Sequence, residues 1–218
     1  MNRSLIIPAL LLALAASPLA AEEMNISDLP AERPADTTPK LAYGQVIRYG
    51  ERVMFAPCRD QSLIQLEDVS ADRSVLAALD SLGLAGGRKL YVELFGYVEG
   101  TALRVSRLNL AHADGRCQVP GSAGEAWRAS GNEPGWILAA GAEWVQVKRL
   151  GQPEVAFPAR PFTQENGVAS FAAQHEGHSL QVRFERKSCR DSMAEAAFAW
   201  TATVTLDGRV FQGCAWQR

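Results

Sequence analysis

Little in this chain points to catalysis. There is no Gly-x-Ser-x-Gly turn to raise a nucleophile. Nor does any Gly-rich loop follow a strand to cradle phosphate, since Gly83–Gly87 trails a helical stretch instead. Charge of one sign is also missing. Lys and Arg number 22 against 24 Asp and Glu, a net charge of -2 with pI near 6.0, so the chain has none of the basic bias of a nucleic-acid binder. After residue 21 no apolar run is long enough to span a bilayer as a helix. Cysteine is scarce, at four, and no Cys-x-x-Cys spacing occurs, which argues against a four-thiolate metal site. No cofactor is implied.

What is present begins with an address. Asn2-Arg3, the apolar Leu5–Ala16 and the small residues Ser17–Ala21 read as a signal peptide over residues 1–21. No cysteine follows that could take a lipid, so the mature chain is expected to be exported, soluble and, in a two-membrane cell, periplasmic. An oxidising compartment favours disulfides. Four cysteines allow three pairings, and the sequential one, Cys58 with Cys117 and Cys189 with Cys214, matches the domain division set out next.

Residues 22–40 are polar, with Pro30, Pro34 and Pro39, and read as a disordered leader. Residues 41–120 form the first domain. Strands are expected at Tyr43–Tyr49, Arg52–Ala56 and Leu63–Glu67. A helix capped by Ser70 or Asp72 then runs to about Leu82, with Val75, Leu76, Leu79 and Leu82 on one stripe. Strands follow at Leu90–Val98, bent or bulged at Gly96, and at Ala102–Leu110. This order is that of an OB-like barrel with one helix. Residues 121–126 read as a linker. Residues 127–218 carry about eight short strands. They include a single long strand at Ala196–Leu206, and hairpin signals at Glu176-Gly177 and Asp207-Gly208. A small antiparallel β-barrel, lipocalin-like or sandwich, is expected there, making the whole chain mainly β.

Two resemblances add to this reading. Gly44-Gln45-Val46, Phe55-Ala56-Pro57-Cys58, the helix, Leu90–Gly96 and Cys117 together resemble the OB-like domain of a Gram-negative outer-membrane lipoprotein. That lipoprotein serves copper homeostasis and envelope stress. The resemblance implies fold and compartment; the Cys-x-x-Cys of that protein's other domain is absent here, so copper binding is not implied. Gly131-Asn132-Glu133-Pro134-Gly135-Trp136, Cys189-Arg190-Asp191-Ser192-Met193 and Gly213-Cys214-Ala215 resemble the motifs of exported, uncharacterised bacterial envelope proteins. Those proteins tend to have serine where Ala194 stands.

Candidate ligand-binding residues are therefore Asn132, Glu133, Trp136, Asp191 and Met193. Trp136 reads either as core or as part of a binding end. Glu133 and Asp191 read either as turn residues or as a carboxylate pair able to hydrolyse a cell-wall sugar bond. His175 and His178 flank a two-residue turn and could hold copper or zinc weakly, although a third ligand is missing locally. The expected role is non-catalytic: binding or homeostasis in the cell envelope, through a protein partner or a small ligand. Metal handling by the histidine pair and cell-wall hydrolysis by the carboxylates stand as alternatives.

Overall fold

The computed structural model describes residues 36–60, 62–114, 116–117 and 124–218. The expected signal peptide, most of the leader and residues 121–123 of the expected linker lie outside them. The described chain is mainly β, as its alternating patterns require, with one α-helix.

The first half builds β1 (Lys40–Tyr49), β2 (Arg52–Pro57), β3 (Ile64–Asp68), α1 (Ser74–Ser81), β4 (Leu90–Glu99) and β5 (Ala102–His112). β1 pairs with β2 and with β4, β2 with β3, β3 in parallel with β5, and β5 with β4, which closes a five-stranded barrel. Val46, Phe55, Leu66, Leu94 and Val105 fill it, and Val75 and Leu79 of α1 pack into the same core. The helix starts later than the cap residues suggested. Asp72 and Arg73 take positive φ in a short 3-10 turn. The first free N–H groups are met from upstream, by Asp68 at Leu76 and by Ser70 at Val75. At Gly96 the β4–β5 register shifts, as its glycine suggests. A Cβ there would lie 2.4 Å from the Arg104 carbonyl oxygen.

The second half supplies β6 (Trp127–Asn132), β7 (Gly135–Ala140), β8 (Trp144–Arg149), β9 (Val155–Pro158), β10 (Thr163–Glu165), β11 (Val168–His175) and β12 (His178–Glu185). It continues with β13 (Cys189–Asp191), β14 (Ala196–Phe198), β15 (Trp200–Leu206) and β16 (Arg209–Gln217). Nine of these strands, from β10 at one edge to β9 at the other, form an antiparallel sheet curled around an aromatic core. Trp127 lies edge-on to Trp200 at 5.0 Å and 5.1 Å from Phe184, while Phe162 stacks on Phe184 at 5.6 Å. The concave face is thus filled by rings. Both expected hairpin turns form, with positive φ at Glu176, Gly177, Asp207 and Gly208.

The expected long strand at Ala196–Leu206 is in fact two. β15 belongs to the curled sheet, whereas β14 and β13 form a hairpin that pairs with β5 and extends the first sheet. The chain changes sheets at Ala199, whose N–H donates to the Asn109 carbonyl. A strand that crosses between two packed sheets in this way forms a corner. Both expected disulfides, Cys58–Cys117 and Cys189–Cys214, are present. The second ties β13, on the first sheet, to β16 on the other.

Candidate functional site

The motif residues of the second half meet, but as a fastening. Asn132 ends β6, and its side-chain amide donates to both Asp191 oxygens at 2.9 Å. The same Asp191 carboxylate accepts the N–H groups of Met193 and Ala194 at 2.9 and 3.0 Å, an Asx-type turn. The polar partner of Asp191 is therefore Asn132 rather than Glu133, which stands exposed before a cis bond to Pro134. Trp136 is buried and donates from Nε1 to the Gln212 carbonyl at 3.1 Å. Gly131 makes that approach feasible, because a Cβ on it would sit 2.3 Å from the indole nitrogen. Met193 is 76% exposed beside this lock. Around Gly135, Ile137 and Leu150 lies an open hollow of about 440 Å³.

His175 and His178 face each other in register across the Glu176-Gly177 turn. Each has another engagement. His178 Nδ1 lies 2.8 Å from Asp207, and the His175 ring leans on Trp144 at 5.8 Å. The Ser179 N–H and then His178 hold the Asp207 carboxyl below its ordinary range. Among the described residues no group of three or more His, Cys, Asp or Glu side chains could hold a metal ion.

Sequence reasoning passed over two other places, both where the halves join. The first is a buried polar knot. Glu93 and Asn109 are the only charged or polar residues buried among the described residues. Asn109 donates to Glu93 at 2.9 Å and to the Gln217 carbonyl at 2.8 Å, and it accepts the Gln217 N–H at 3.0 Å. Its side chain thus imitates a strand and holds the end of β16. The Tyr91 hydroxyl donates to Glu93 at 3.2 Å, and Arg218 lies 3.6 Å away. Burial pushes the Glu93 carboxyl upward, opposed in turn by Arg218, Asn109 and Tyr91. Tyr91 is also pushed up, by burial first and by Glu93 next.

The second is a crevice of about 260 Å³ above this knot. Its walls come from α1, β4 and β5 on one side, and on the other from the segment after β12, the crossing that leads into β15 and the end of β16. Two guanidinium groups border it. Arg107 lies over the Phe95 ring at 4.7 Å, and Arg186 over Trp200 at 4.8 Å. No acidic partner reaches either among the described residues, in contrast to Arg88, Arg104 and Arg128. Burial and then repulsion from Arg186 lower the Arg107 pKa. Ser74 and Ser188 bring hydroxyls to the rim, while Val75, Leu108 and Phe198 make the floor apolar. The arginines sit far apart in sequence, Arg107 on β5 and Arg186 just after β12, so no local pattern marks them.

Fold and crevice together define a two-sheet, mainly β protein with a charged recess at its seam. No family model, curated protein or solved structure matches this chain. No helix among the described residues is long and apolar enough to cross a membrane.

Proposed function

We propose that this chain is an exported, non-catalytic binding protein of the cell envelope, periplasmic in a two-membrane cell, whose binding element is the seam crevice. The observation that carries this reading is the pair of arginines set over aromatic rings on an apolar recess, with no acidic partner among the described residues. Binding pockets typically combine apolar walls with a few convergent polar groups in this way. The signal-like first 21 residues and the two disulfides support export. We also assign the first barrel to the OB type. Its support is the strand order 1-2-3-5-4 closing on β1, with α1 between β3 and β4.

Native mass spectrometry of the mature protein, purified from the cells that export it, tests the reading. A released adduct whose binding is lost on Arg107→Gln with Arg186→Gln is the expected result. A protein short of the mass of four hydrogens, free of adducts and insensitive to those changes, would remove the crevice as the binding element.

A further inference from the structure

We infer that the seam crevice takes a small amphiphilic anion: a carboxylate, phosphate or sulfonate head on an apolar body of roughly ten heavy atoms. This rests on the crevice being the binding element and adds the chemistry of what enters it. Size comes first. A recess of about 260 Å³ displaces the equivalent of roughly nine waters at about 30 Å³ each, enough for a short chain or one ring and too little for a folded peptide. Shape and polarity come next. The floor formed by Val75, Leu108 and Phe198 offers no hydrogen bonds from its side chains, so the buried part of the ligand is apolar.

The charge of the head follows from the arginines. Phe95 and Trp200 each lie under a guanidinium carbon, and no acidic side chain among the described residues takes the N–H groups of Arg107 or Arg186, which stay able to donate to a ligand. Burial first, and then Arg186, lower the Arg107 pKa; an anion between the two forks turns their mutual repulsion into attraction. Guanidinium edges suit the paired oxygens of a carboxylate or phosphate better than a single hydroxyl. The Ser74 and Ser188 hydroxyls at the rim can donate to a further head oxygen.

The ligand inferred is a free small molecule, because the recess lies between two sheets instead of on an exposed apolar face. Titrating the full mature chain with octanoate, octyl phosphate, octanol and octyltrimethylammonium, followed by calorimetry and amide shifts at Ser188, Phe198 and Trp200, tests it. Octanoate or octyl phosphate should bind at least tenfold more tightly than octanol, and the cation not at all. Arg107→Gln and Arg186→Gln should each weaken the anion roughly tenfold or more. Ile137→Ser, on the far open hollow, serves as a control and should leave binding unchanged. Octanol binding as tightly as octanoate at the same amides would overturn the anion and keep the crevice as a site. Failure of all four probes to shift those amides would overturn both. Co-sedimentation with phosphatidylglycerol vesicles without octanoate binding would overturn the free-ligand inference.

Discussion

Three residues set the local terms of this fold. Gly131 lies against the Trp136 indole and the Gln212 carbonyl, leaving no room for a methyl group. Gly131→Ala should cost about 1–3 kcal/mol in chemical denaturation, and a change near zero would mean that β6 shifts freely there. Glu93 gives a pH dependence of definite sign. Burial raises its folded pKa above the unfolded value, so the native state holds the proton more tightly. Its contribution to stability is fully present below the unfolded pKa and is lost as pH rises through the folded pKa. Glu93→Gln, which keeps the shape and the Asn109 bond, should flatten that fall. Denaturation midpoints measured from pH 4 to 8 would run parallel for the two proteins if the carboxyl were not the source. Asn109 is the third. Asn109→Ala strands the Gln217 N–H and carbonyl and the Glu93 oxygen, and should cost about 2–4 kcal/mol.

At the level of elements, the two-residue turns and the alternating strands were legible because each is set by local chemistry. Asp207-Gly208 needs two positive φ angles and supplies them. The Asn166-Gly167 turn between β10 and β11 carries the same signal, with φ of 49° and 77°, and could have revealed β10. The crossing at Ala199 was not legible. Ala196, Phe198, Trp200 and Ala202 alternate without a break, and the bond from the Ala199 N–H to the Asn109 backbone carbonyl, on a distant strand, marks where the ladder changes hands. Likewise nothing local marks Arg107, on β5, and Arg186, just after β12, as neighbours on one crevice. The Asn132–Asp191 contact was half-legible: the motif marked both residues, but their neighbours in space made them a lock. The Cys189–Cys214 bridge joins elements of different sheets. Replacing both cysteines with alanine should lower stability by roughly 3 kcal/mol. It should also speed hydrogen exchange in β13 and β14 more than in β11, and uniform acceleration would show that the bridge acts only on the unfolded chain.

For the whole molecule, the shared hairpin, the bridge and the Asn109 knot predict one cooperative unfolding transition. The sequence provides an unusually direct check, since all four tyrosines precede residue 100 and all five tryptophans follow residue 126. Near-ultraviolet tyrosine and tryptophan signals should therefore lose their native form together in denaturant. Separate midpoints would show that the halves melt independently. The crossing at Ala199 also has a consequence in time. A chain made from its N-terminus completes β5 at His112, but the strand that covers the far end of β5 ends only at Phe198. At 5–20 residues per second that is a delay of roughly 4–17 s, during which the newborn barrel offers a bare row of amides to any passing strand.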